Sequence, residues 1–177
     1  MKKILKNDFH RYNESSILKL YFKDIGFRYL YHYRHLIFSK KFFGLKLFHK
    51  ARVFSLSHKT GIEIFSKNVD EGILLLHPYN ITVNSSAKIG KNVTLLKGCT
   101  IGSVKEGKKA GVPIIKDNVY IGLNSTIVGN ITIEEDVLIC ANTFVNFDVP
   151  AHSIVIGNPA VIHHKFNATK EYINNPI

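Results

Sequence analysis

The sequence predicts a mainly β fold: a parallel β-helix of hexapeptide repeats with a short N-terminal helical segment. Read in sixes, the first position of each unit is Val83, Ile89, Leu95, Ile101, Ile115, Ile121, Ile127, Ile133, Ile139 and Val145, and every one is aliphatic. The fifth position is small or β-branched throughout: Ala87, Val93, Cys99, Val119, Ser125, Ile131, Val137, Thr143 and Val149. Gly or Asn recurs at the second and fourth positions, where the chain must turn. A helix needs apolar spacing of three and four, and an ordinary strand needs two. A strict six is one short strand plus one turn, and such units bury their faces only by stacking. Three hexads make one triangular coil, with first-position side chains filling its axis. A sandwich with coincidental spacing is the plainer reading, and the unbroken run of aliphatics argues against it.

Residues 1–60 come first, with 14 Lys/Arg against 3 Asp/Glu, while the remaining 117 residues are balanced at 10 against 10. The whole excess behind the net charge of +11 therefore lies in one third of the chain. A uniformly basic nucleic-acid binder would not be distributed this way, and no recognition motif supports that class. The segment "ILKLYFKDIGFRYLYHYRHLIFSKKFFGLKLFHKARVF" mixes apolar, aromatic and basic residues at spacings that fit one or two helices, broken near Gly26 and Gly44. Such helices cap the β-helix or lie on an anionic membrane surface. The basic opening lacks the apolar run of a secretion signal, and no stretch approaches the ~18 apolar residues of a membrane span. Two cysteines, Cys99 and Cys140, are too few for a disulfide framework and lack metal-ligand spacing. A reducing cytoplasm and no metal are expected.

Counted back one unit from Val83, the frame lands on His77, in "LLLHPYNITVNSS". A histidine thus stands where the pattern asks for an aliphatic. Imidazole titrates in the range a general base needs. Residues 103–114, "SVKEGKKAGVPI", break the frame, and their polar run cannot pack inside a coil, so it must bulge out. Read without further context, His77 is a core histidine and the lysines of that loop are solvated.

Taken together, "HPYNITVNSSAKIGKNVTLLKGCTIG", the interruption and "IKDNVYIGLNSTIVGNITIEEDVLICANTFVNFDVPAHSIVIGNPA" resemble the hexapeptide-repeat acyltransferases. The resemblance is to their serine acetyltransferase-type branch, which includes bacterial polysaccharide O-acetyltransferases. It covers about residues 61–165 and implies a left-handed parallel β-helix, a homotrimer, and acetyl-CoA as acyl donor. It implies that His77 takes the proton from the acceptor hydroxyl. A carboxylate in a "GIEI" segment would orient it, which points to Glu63, with Asp70 and Glu71 as competitors because the stretch between is a residue short. The place of "IGSV" implies that amides of Gly102 and Ser103 steady the oxyanion. Coenzyme A would lie along Leu123, Ala141 and the Ile156–Gly157 turn, mostly on backbone groups, with His163, His164 and Lys165 within reach of phosphates. Pro78, Tyr79, Asn80 and loop Lys105, beside Lys108 and Lys109, fall on the acceptor side. Two features depart from serine acetyltransferases proper: Leu76 replaces the Asp before the histidine, and Gly111 and Val112 replace the Arg-His pair before Pro113. "DIGFRYLYHYR" resembles the N-terminal segment of polysaccharide-modifying members. These departures favour a sugar hydroxyl of a surface polysaccharide as acceptor, hence capsule biosynthesis, over serine. A non-catalytic scaffold or glycan-binding module is the reading from another class. The organisation expected is a helical segment 1–60, a β-helix 61–165 with its protruding loop 103–114, and a tail 166–177.

Overall fold

The computed structural model describes residues 2–38 and 43–177; Met1 and residues 39–42 of the expected helical segment lie outside them. Among the described residues four helices precede the repeats: α1 (Lys2–His10), α2 (Ile17–Lys23), α3 (Ile25–Phe38) and α4 (Phe43–Thr60). Short strands then wind into a three-faced column of about five coils. The first face stacks β1 (Glu63–Ile64), β4 (Thr82–Val83), β7 (Thr100–Gly102), β10 (Thr126–Val128) and β13 (Phe144–Val145). On the second face lie β2 (Asn68–Val69), β5 (Lys88–Ile89), β8 (Ile114–Ile115) and β11 (Thr132–Ile133). The third holds β3 (Leu74–Leu76), β6 (Thr94–Leu96), β9 (Val119–Ile121), β12 (Val137–Ile139), β14 (Ser153–Ile156) and β15 (Val161–His164). All pairings are parallel except the last, in which β15 turns back on β14.

The hexads build this column as counted. Every first-position aliphatic from Val83 to Val145 is buried on the axis, and every fifth-position residue is buried beside it. Between strands the chain turns through left-handed residues: Asn92, Asn118, Asn124, Asp136 and Asn142 all have φ of 54 to 57°. Asn and Asp tolerate that conformation best after Gly, which accounts for their recurrence at the fourth position.

The first coil departs from the count twice. From Ile64 to Val69 it takes five residues where Val83 to Ile89 takes six, as the pairings Ile64↔Val83 and Val69↔Ile89 show. At the edge between the third and first faces it gains two, Leu75 to Val83 taking eight residues where Leu95 to Ile101 takes six. Leu75 pairs with Leu95, so Leu75 occupies the axial slot and not His77. Tyr79 then falls in the row of Lys97, Leu123 and Ala141: the carbonyls of Tyr79, Lys97 and Leu123 accept from the amides of Gly98, Asn124 and Asn142 respectively, one coil on. His77 and Pro78 are therefore an insertion, which corrects the reading of His77 as a residue in an aliphatic position. Two extra residues and one missing residue shift the frame in a way that counting back from Val83 cannot detect.

That first coil would expose unpaired backbone groups at the column's end, as any sheet edge does. Side chains of the helices pair with them instead. Asp8 accepts from the amides of Gly72 and Ile73 at 2.8 and 3.1 Å. Arg34 donates to the carbonyls of Val69 and Asp70 and makes a two-pronged ion pair with Asp8 at 2.7 and 3.1 Å. The hydroxyls of Tyr29 and Tyr12 accept from Ile64 and Leu75, while Tyr33 donates to Ser66. The helical segment is thus a cap in which side chains take the place of a missing coil. At the far end the tail folds back along the edge between the second and third faces, and Arg11 Nε donates to its Asn174 carbonyl at 2.8 Å. Among the described residues, no helix is long and apolar enough to cross a membrane.

Candidate active site

His77 follows β3 at the edge between the third and first faces. Its φ is +50°, and its ring is exposed, with no hydrogen bond given to any described residue. The Tyr79 amide donates to the His77 carbonyl at 2.8 Å. That closes a three-residue turn centred on Pro78, whose ring pre-sets the φ such a turn needs. Pro78 is buried while His77, Tyr79 and Asn80 are exposed, so the insertion is pinned at its middle and presents its flanks. A ring standing on the outside of a column edge is accessible to a substrate.

Along the same edge the chain stacks Tyr79, Lys97, Leu123 and Ala141, with Gly157 next to Ala141 because Val155 pairs with Ile139. Tyr79, Leu123 and Ile156 are 44%, 38% and 46% exposed, which makes this edge partly apolar. Of the expected residues, His77, Pro78, Tyr79, Asn80, Leu123, Ala141, Ile156 and Gly157 therefore share one edge. Glu63 lies close to it on the outer side of β1, paired in register with Thr82. Its carboxylate makes no hydrogen bond to the His77 ring among the described residues; it lines a cavity of about 750 Å³ with Tyr29, Tyr33, Val53 and Ser57. The competing carboxylates Asp70 and Glu71 sit before β3, one full strand from His77. Glu71 is already engaged, accepting from Asn7 at 2.9 Å and facing Lys91 at 3.7 Å.

The remaining expected residues lie on other edges. Gly102 ends β7 and Ser103 follows it on the edge between the first and second faces, about 13 Å from Gly98 at ~3.3 Å per residue. The loop after them is a hairpin closed by paired bonds between Val104 and Gly111 at 2.9 and 3.0 Å, and Lys105 stands exposed on it. Lys109 is tied to the Asn146 carbonyl, so Lys105 and Lys108 are the exposed loop cations outside that tie. Lys165 lies on the third edge, its amide donating to the His152 carbonyl at 2.7 Å. One chain does not gather His77, the amides of Gly102 and Ser103 and the Lys105 side chain into one cleft.

Sequence reasoning missed a second histidine–carboxylate pair, because its members match no motif. His152 Nδ1 lies 2.8 Å from Asp136 Oδ2. Burial disfavours the charge of Asp136, but bonds from His152, Thr169 and Ala168 outweigh it and hold the carboxyl below its ordinary value. Asp136 fastens the tail turn at Ala168 and Thr169 to the column. The cap residues Asp8, Tyr12, Tyr29 and Arg34 were also missed, since their partners lie 26 to 65 residues away.

No family model matches the chain. Serine acetyltransferase 2 of Arabidopsis thaliana is 35% identical to it over 146 residues, 75% of this chain and 45% of that protein. A serine acetyltransferase of Staphylococcus epidermidis is 35% identical over 131 residues, 72% of this chain and 61% of that protein. The chain thus spans about half the length of these relatives. Among solved structures, a serine O-acetyltransferase of Brucella melitensis matches with a TM-score of 0.66 and 26% identity, covering 93% of this chain and 68% of that one. The serine acetyltransferase of Brucella abortus in complex with coenzyme A matches with a TM-score of 0.69 and 25% identity, over 93% and 68%. The column is the left-handed parallel β-helix of the hexapeptide-repeat acyltransferases, and serine acetyltransferases are its homologues. This overturns the expectation of a polysaccharide acceptor and of a place in capsule biosynthesis. That expectation leaned on the substituted positions Leu76, Gly111 and Val112 and on the short segment "DIGFRYLYHYR", and these weigh less than similarity over some 130 residues.

Proposed function

We propose that the chain is an acetyl-CoA-dependent O-acetyltransferase that acetylates the hydroxyl of serine, acting in the cytoplasm as a homotrimer. The observation that carries the reading is the placement of His77: exposed, on a pinned insertion, at the head of the edge formed by Leu123, Ala141 and Gly157. The similarity to serine acetyltransferases, one of them in complex with coenzyme A, supports donor and acceptor.

In the reaction, an imidazole nitrogen of His77 accepts the hydroxyl proton as the serine oxygen attacks the thioester carbonyl carbon. Negative charge gathers on the carbonyl oxygen and is met by backbone N–H groups at Gly102 and Ser103. Collapse of the tetrahedral intermediate breaks the carbon–sulfur bond, and the departing thiolate recovers the proton from the imidazolium. Glu63 orients the ring and offsets its transient charge, a role that needs a shift of its side chain out of the cavity it lines. Because base and oxyanion amides sit on different edges of one column, the complete cleft forms between neighbouring protomers. A closed ring of three supplies three equivalent clefts. Leu76 and Val112 leave serine's charged groups to be held by other side chains of that cleft.

The test is release of free thiol from acetyl-CoA on addition of L-serine. His77→Ala should lower kcat by ~10²–10⁴-fold, the usual contribution of a general base, and Glu63→Gln by about 10-fold. Wild-type turnover in His77→Ala overturns the mechanism, and turnover of acetyl-CoA without dependence on serine overturns the acceptor.

A further inference from the structure

The buried middle of the insertion, Pro78, rests on the first turn of α3. A Cβ built on Gly26 would lie 2.7 Å from Pro78 Cβ and 2.9 Å from Pro78 Cγ. Carbon atoms do not approach so closely, so glycine at position 26 is what lets the proline ring seat. Both partners are fixed from behind. Asp24 holds the start of α3, its Oδ1 accepting from the Phe27 amide at 2.7 Å and its carbonyl from the Arg28 amide at 3.1 Å. Phe27 is fully buried, packed edge-on against Tyr12 with ring centres 5.3 Å apart. Tyr12 in turn accepts from the Leu75 amide, two residues before His77. On the other side, the Tyr79 amide closes its turn on the His77 carbonyl. His77 has no neighbour in its own row of the column to set its backbone, because it belongs to the insertion. Its φ of +50° lies in the left-handed region, uncommon for a residue with a Cβ, and is held by the surrounding structure.

We propose that Gly26 is a positioning residue for His77: the first turn of α3, through the Pro78 ring seated on Gly26, sets where the imidazole stands. The helical segment then has a second task besides closing the column. This inference rests on the reading of His77 as the general base.

The experiment uses the full chain with acetyl-CoA and L-serine, and measures kcat, KM for acetyl-CoA and the thermal midpoint. Adding one methyl in Gly26→Ala pushes the ring, and a displacement of about 1 Å at a reacting group costs up to ~10²-fold. Gly26→Ala should therefore lower kcat about 10- to 100-fold per folded molecule while KM for acetyl-CoA stays unchanged. Pairing it with Pro78→Gly, which removes both overlapping ring atoms, should recover part of the loss. In a His77→Ala background Gly26→Ala should have no further effect. Wild-type kcat in Gly26→Ala overturns the inference, as does an equal loss in the His77→Ala background, which marks a general structural defect. Should Gly26→Ala fail to fold, Pro78→Gly alone must lower kcat at unchanged KM, and full activity there overturns it equally. Full activity of His77→Ala would instead sink the general-base reading, whatever Gly26→Ala does.

Discussion

The first coil and the four that follow it are made of the same parts and held in different ways. From Val83 onward the coils are bonded to one another, and the axial residue comes every sixth position save at the outgrown loop and at the last coil, where Val149 follows Val145 after four residues and pairs with Ile133. The first coil has a neighbour on one side only. It is short by a residue on one edge, long by two on another, and paired on its open side with Asp8, Tyr12, Tyr29, Tyr33 and Arg34. Repetition makes the later coils stable and nearly interchangeable. Irregularity makes the first coil dependent on the helices, and it is there that His77, the proposed base, is presented.

The comparison breaks most sharply at Arg34, whose side chain is 1% exposed and whose ion-pair partner Asp8 is fully buried. Removing one member of a buried pair strands the other, at about 3–5 kcal/mol. Arg34→Ala should lower the thermal midpoint by about 10 °C, at some 2–4 °C per kcal/mol for a chain of this size, and reduce turnover as the cap loosens from the first coil. A scanning-fluorimetry midpoint within a degree or two of wild type would mean that side-chain pairing does little for that coil. The counterpart in a regular coil is Ile133→Val, which removes one methylene from a fully buried axial side chain. It should cost about 1 kcal/mol and about 3 °C with kcat unchanged. A change in kcat would show that the later coils also tune the site.

The same contrast explains what was legible in the amino acids. Axial positions of the later coils are set by one local rule applied repeatedly, so Val83 to Val145 could be placed, and the outgrown loop with them. The short step from Ile64 to Val69 was visible as a missing residue. The insertion at His77 was not: a left-handed residue and a three-residue turn leave no periodic trace, and counting back placed the histidine on the axis. The pairing of Gly26 with Pro78, and of Arg11 with Asn174 across 163 residues, depends on the chain closing on itself, which no local pattern carries. The acceptor was misjudged for a related reason. Leu76 and Val112 show which side chains are missing from a pocket, and leave open which others fill it.

The smallest expected effect separates the cap's own integrity from its grip on the coil. Helices α3 and α4 meet at His32 and His49, 2% and 4% exposed, with their Nδ1 atoms 2.9 Å apart and the Tyr21 hydroxyl 2.8 Å from His32 Nε2. Burial, reinforced by the positive charge of His49, Arg52, His35 and Arg28, lowers His32 to about 4. Burial and His35 lower His49 too. A histidine whose folded value is depressed binds its proton more readily when unfolded. Stability is therefore complete above about pH 6.5, falls as the unfolded chain takes up protons below it, and levels off beneath the folded value. Between pH 7.5 and 6.0 the loss from His32 should stay under about 1 kcal/mol, a shift of 1–3 °C in midpoint. His32→Gln, which cannot titrate, should flatten the pH dependence by that amount. Arg34→Ala should keep the dependence, because its break lies between cap and coil and not between the two helices. If Arg34→Ala abolished it, the cap would not fold as a unit apart from its seat, and the first coil and the helices would have to be counted as one cooperative structure.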